Sequence, residues 1–160
     1  MQASTIGEPG RASRFARITE LAAAMAHLLA RLYVAKVFFM AGMSKTGNWE
    51  STLSLFEEEY RVPILTPQMA AILGTGLELT LPVLLVIGIC TRCAAAGLLM
   101  VNGMAVFAYY HVLADMPVAL QDHLEWGLLL LLLAVQAPVW TTVDFWWVRA
   151  RLNHSQRPAG

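Results

Sequence analysis

The chain has 160 residues, 58% of them hydrophobic and only 14% charged, and its 11 Lys and Arg balance its 11 Asp and Glu. With zero formal charge there is no basic field for nucleic acid, and the acidic residues gather into no long tail. A mean hydropathy of +0.56 places the chain with membrane proteins rather than ordinary soluble domains.

No internal repeat, low-complexity tract or Gly/Ser linker divides the sequence, so one bundle is expected. Four apolar stretches meet the length of about 20 helical residues that a hydrocarbon core requires: 21–43, 67–89, 93–111 and 120–139. They predict an all-α membrane protein, an antiparallel four-helix transmembrane bundle. The expected division is an N-terminal segment over 1–20, a membrane domain over 21–139 and a tail over 140–160. Residues 1–20 carry Arg11, Arg14 and Arg17 with no apolar core of their own, and no small-residue cleavage site follows the first span, so a cleaved signal peptide is not expected.

The basic residues sort by side. Arg11, Arg14 and Arg17, then Arg92 in the tight link between spans two and three, then Arg149, Arg151 and Arg157 in the tail assign all three segments to the cytoplasm. The link between spans one and two has Lys45 and Arg61 against Glu50, Glu57, Glu58 and Glu59, and the link between spans three and four has no Lys or Arg. Those two face outward. Trp140, Trp146 and Trp147 on one side, and Tyr109 and Tyr110 on the other, suit interfacial aromatic belts.

In the first outer link, GNWESTLSLFEEEYRVP, the residues Trp49, Leu53, Phe56 and Tyr60 recur at steps of four, three and four. That spacing predicts an amphipathic interfacial helix over 48–60, ended at Val62-Pro63 and covering the mouth of the bundle.

Two cations lie inside the first span, in LLARLYVAKVFFMAGMSK. A charge in a span is tolerated when it faces protein rather than lipid. Arg31 lies on a stripe of Ala24, His27, Arg31, Ala35, Phe38, Gly42 and Lys45, which apart from Phe38 is small or polar and suits close helix packing. Arg31 is therefore expected to point inward, whereas Lys36 lies off the stripe, where it can snorkel. Span two offers a matching stripe of Ala71, Thr75, Glu78 and Pro82, with Glu78 the expected partner of Arg31. Pro82 also frees the Glu78 carbonyl from its usual helical donor. The pair reads either as a staple that sets helix register or as a site that also binds a ligand or proton. Lys36, Lys45, His111 and His123 favour the second reading by concentrating polar groups in the outer half. Asp122 and Glu125 have a simpler account, since carboxylates in a first helical turn complement the dipole.

Cys90-Thr91-Arg92-Cys93 is a Cys-x-x-Cys across the tight link between spans two and three. It reads as a redox pair or as small apolar filler at a helix end, and structural zinc would need two more ligands than the link supplies. Met100, Met104 and His111 on one face of span three, with Met40 and Met43 ending span one, suit either packing or soft Cu(I) chemistry. The chain has no haem Cys-x-x-Cys-His, Gly-rich nucleotide loop or nucleophile-base series, so no autonomous catalytic motif is found.

The ordered series RLYVAKVFFMAGMSK, ELTLPVLLVIG, TR followed by AAA, and VD at Asp144 resembles the DoxX family of small four-helix bacterial inner-membrane proteins. Arg31, Gly42, Lys45, Glu78, Gly88, Thr91, Arg92 and Asp144 lie on its pattern. NWESTLSLFEEEYRVPIL and DHLEWG further resemble the branch that accompanies biosynthesis clusters for copper-binding modified peptides, through Trp49, Phe56, Tyr60, Pro63, His123 and Trp126. The chain departs from the family at Gln136-Ala137-Pro138, where a Gly-Pro-Gly turn is usual. The resemblance implies an inner-membrane component of a redox or peptide-maturation and export system, with a quinone or copper as candidate cofactor and a soluble redox or peptide-modifying protein as partner. Two alternatives compete with it: a thiosulfate:quinone type oxidoreductase subunit, which the resemblance also implies, and a plain scaffold that anchors a soluble protein.

Overall fold

A computed structural model describes residues 11–136 and 139–155, with side chains described between residues 13 and 152. Arg157 and the Ala137-Pro138 dipeptide lie outside the described residues, as does the side chain of Arg11. Among the described residues there are six helices and no strand: α1 (Arg11–Gly47), α2 (Trp49–Glu58), α3 (Pro67–Ile87), α4 (Thr91–Leu113), α5 (Pro117–Val135) and α6 (Val143–Ser155). Helices α1, α3, α4 and α5 are each long and apolar enough to cross a membrane.

Local chemistry accounts for the boundaries. Asn48 caps α2, its Oδ1 accepting from the Ser51 N–H at 3.0 Å. Thr66 caps α3, and Pro67 follows at the first helical position, where its missing N–H costs nothing. Gly88 ends α3 at φ 80°, a left-handed conformation open to glycine. The link from Gly88 to Cys90 then turns the chain back into α4.

α1 exceeds the predicted first span at both ends. Its 37 residues extend about 55 Å, against a hydrocarbon core of about 30 Å. Residues 13–23 are exposed all round, so the surplus projects from the bundle. α5 stops at Val135, four residues before the predicted end of span four, because Gln136 is already extended. The tail contains α6.

Packing between α1 and α3 is close because Gly42 permits it. A Cβ there would stand 2.9 Å from Leu79 Cγ and 3.1 Å from Glu78 Cβ. The main core joins Val34, Ala35 and Phe38 of α1 to Leu85 of α3, Ala94, Ala95 and Leu98 of α4, and Leu130 and Leu133 of α5. A second cluster, Phe56 with Ala70 and Ala71, seats α2 on α3. The Arg61 N–H donates to Ala108 O at 3.1 Å, which ties the α2–α3 connection to α4. The bundle thus has two distinct ends, one covered by α2 and the other marked by the start of α6, where Asp144 meets the α3–α4 link.

Candidate functional site

At the α2 end a cavity of about 290 Å³ opens between α2, α3 and α4. Its wall is almost wholly apolar, with Phe56, Val62, Leu65, Leu73, Leu77, Val101 and Ala105 among the lining residues. The exceptions are Lys45, Glu78 and Tyr60. Lys45 Nζ donates to Glu78 Oε1 at 2.9 Å and Oε2 at 2.6 Å, and both side chains retain a little exposure, 17% and 10%. An ammonium carries three donors, so two bonds to Glu78 leave it a third.

Tyr60 forms the rim. Its ring stacks on Phe56 with centroids 4.7 Å apart and on Tyr109 at 4.9 Å, and the Tyr109 hydroxyl donates to Glu59 Oε2 at 2.7 Å. Burial pushes the Tyr60 hydroxyl up to about 12, and the negative charges that Glu78, Tyr109 and Glu59 can carry add to the effect. Tyr60 is therefore a neutral donor at any ordinary pH. Met100 and Met104 line the same cavity from α4.

The expected Arg31–Glu78 pair does not form. Arg31 Nε donates to Leu85 O at 2.9 Å, Nη2 to Val86 O at 2.7 Å, and Nη1 to Thr141 O at 3.2 Å. The reason is register. Gly42, not Arg31, lies opposite Glu78, and the step of 11 residues from one to the other amounts to about 16 Å of helix. Helical side chains lean toward the N-terminus, which brings Lys45 back to the level of Glu78 and carries Arg31 toward the α6 end. There the guanidinium occupies carbonyls at the end of α3 that have no helical donor. The Glu78 carbonyl freed by Pro82 is not what holds it.

Arg31 belongs to a knot at the α6 end. Asp144, in the first turn of α6, accepts from the Cys90 N–H at 2.8 Å and the Thr91 N–H at 2.7 Å, while its own N–H donates to Gly88 O at 3.1 Å. Arg31 thus caps the C-terminus of α3 and Asp144 caps the N-terminus of α4. A Cβ on Gly88 would stand 2.8 Å from Thr142 Cα and 3.2 Å from Arg31 Nη2, so the knot closes only around glycine.

The other candidates lie apart. Lys36 is exposed, beside a shallow groove of α1 and α3 residues. His111 is exposed, its ring edge-on to Tyr109 at 5.9 Å. His123 faces a separate groove between α4 and α5, where Asn102 Nδ2 donates to His123 O at 2.9 Å and Asn102 Oδ1 lies 2.8 Å from His123 Nδ1. An amide oxygen only accepts, so Nδ1 carries the proton and Nε2 is left as an acceptor. Cys90 and Cys93 are free thiols, both exposed.

Of the predicted site residues, then, the fold gathers Lys45, Glu78, Met100 and Met104 around one cavity and leaves Arg31, Lys36, His111, His123 and the two cysteines elsewhere. Tyr60, in the sequence a member of the amphipathic face over 48–60 and of the branch resemblance but not of the predicted site, is a wall of that cavity. Asn102 was missed, although an amide in the middle of an apolar span is itself a signal. Among the described residues no cluster of three or more His, Cys, Asp or Glu could hold a metal ion.

Four apolar helices packed around internally paired charges define an integral membrane protein. The DoxX family profile matches residues 26–111, more than half of the chain, and the chain belongs to that family. No curated protein and no solved structure matches it. The matched residues include the Lys45–Glu78 pair, Arg31 and Gly88, whereas Asp144 lies beyond them.

Proposed function

We propose that this protein is the membrane component of a redox system and that the cavity at the α2 end receives the polar head of a lipophilic carrier of the quinone class. The observation that carries this reading is an ammonium–carboxylate pair on the wall of an otherwise apolar cavity in a membrane bundle. Apolar walls suit a ring with a hydrocarbon tail. The third Lys45 donor and the Tyr60 hydroxyl suit two carbonyl oxygens, and Glu78 is placed to give or take a proton as the head is reduced or oxidised. The electrons come from a partner protein. In this reading the α2 end, with Glu50, Glu57, Glu58 and Glu59, faces outward from the bacterial inner membrane, and the α6 end, with Arg14, Arg17, Arg92, Arg149 and Arg151, faces the cytoplasm.

Met100 and Met104 on the same wall favour a second reading, a maturation or export role for a copper-binding peptide, in which their thioethers meet Cu(I).

Gly74 provides the test, because it lines the cavity and a Cβ there would meet nothing nearer than Phe56 Cζ at 3.8 Å. Gly74→Leu fills the space without backbone strain. In nanodiscs the wild type should bind a short-chain benzoquinone, Gly74→Leu should lose that binding while melting normally, and Glu78→Gln should weaken it. A wild type that binds Cu(I) and no quinone supports the second reading. Quinone binding that Gly74→Leu leaves unchanged removes the cavity from the account.

A further inference from the structure

Cys90 and Cys93 serve no purpose in the cavity, which lies at the other end of the bundle. Nor are they packing filler, since both are exposed. Cys90 is the N-cap of α4, held in the left-handed region at φ 48° and ψ 41°, and its carbonyl accepts the helical bond from the Ala94 N–H at 2.9 Å. Cys93 stands in the first turn that follows. The two cysteines therefore bracket the first turn of α4, both exposed.

Side chains three apart on a helix have Cβ atoms about 5 to 6 Å apart, whereas a relaxed disulfide wants about 3.8 Å. Cys90 precedes the regular helix, in the left-handed region, so the pair is not bound to that helical spacing. Exposure of both sulfurs keeps such a bridge easy to reduce, as suits an exchanging disulfide rather than a structural one. Asp144 holds the Cys90 and Thr91 N–H groups and so fixes the backbone that displays the pair.

We propose that Cys90 and Cys93 form a reversible dithiol that exchanges with low-molecular-weight disulfides. One cysteine sulfur, as thiolate, attacks a sulfur of the small disulfide and expels one small thiol. The second cysteine attacks the resulting mixed disulfide at the first cysteine's sulfur and expels the other. Two protons and two electrons pass from the pair, which becomes a disulfide, and two small thiols are formed. This inference is independent of the cavity reading.

The chain has two cysteines, so the readout is unambiguous. Full-length protein in nanodiscs is equilibrated with mixtures of glutathione and glutathione disulfide, quenched with acid, alkylated with a maleimide and weighed. The wild type should pass in one step from two alkylatable thiols to none, without adduct, and about a tenfold excess of glutathione should reopen the bridge. Cys90→Ser and Cys93→Ser should each stop at a glutathione adduct on the remaining thiol. The proposal is overturned if both thiols stay alkylatable in glutathione disulfide alone, if the wild type accumulates adducts on both cysteines, or if a bridge forms and survives the excess of glutathione. Glu78→Gln should behave as wild type here, so failure of the cavity reading and failure of this one are separable.

Discussion

Lys45 and Glu78 are joined across α1 and α3 by one ammonium donating to both carboxylate oxygens, at 2.9 and 2.6 Å. Removing one member of a buried pair leaves the other uncompensated, and because a little exposure remains here the loss should fall at the low end of the usual range. Lys45→Ala or Glu78→Ala should cost roughly 3 kcal/mol. Glu78→Gln keeps the shape and some of the hydrogen bonding and should cost less. Reversible unfolding in mixed detergent micelles measures both.

A double-mutant cycle tests the register. Arg31 and Glu78 share no partner, so Arg31→Ala and Glu78→Ala should add within about 0.5 kcal/mol, whereas Lys45→Ala and Glu78→Ala should show a coupling of about 1 kcal/mol or more. Strong coupling of Arg31 to Glu78 would mean that the helices are offset differently.

Two glycines separate backbone strain from crowding. Gly88→Ala places a Cβ against the Thr142 backbone at positive φ and should lower stability by about 1–3 kcal/mol, with the knot at the α6 end disturbed. Gly42→Ala crowds Leu79 Cγ and Glu78 Cβ, which are side-chain atoms, without a positive φ, and should cost less. Thermal melts of the two variants side by side decide the order.

Tyr60 gives a signature at high pH. Its hydroxyl, raised to about 12, remains neutral in the folded protein while the unfolded chain ionises near 10. Stability from this residue is therefore intact below about pH 10 and is lost as pH rises toward 12, by about 2 to 3 kcal/mol in all. Tyr60→Phe should flatten that fall. Absorbance titration should show a late-ionising component that Tyr60→Phe removes, and a titration that Tyr60→Phe leaves unchanged above about pH 11 would contradict the buried rim.

Reporter fusions test the orientation. A fusion after Glu58 should read as periplasmic and one after Arg151 as cytoplasmic, because retention of basic segments decides the side. The reverse pattern would place the cavity toward the cytoplasm.

Hydropathy and helical periodicity are local properties, and they were enough to find the four spans, the amphipathic α2 and most of the polar residues from which the candidate site is drawn. Lys45, Glu78, Met100 and Met104 were all legible in this way. Which charge meets which was not, because it depends on the offset between α1 and α3. The apolar limits of the first span put Arg31 at the depth of Glu78, but α1 continues to Gly47, and the contact of Gly42 with Leu79 sets the offset. Arg31 likewise found its partners only through the left-handed turn at Gly88, which exposes the last carbonyls of α3 to it. Tyr60 became a cavity wall through its stack on Tyr109, 49 residues away in the chain and 4.9 Å away in space. Composition along the chain determines which residues can enter the membrane; the packing of one helix on another decides how far along it each of them stands, and a shift of a few turns exchanges every partner.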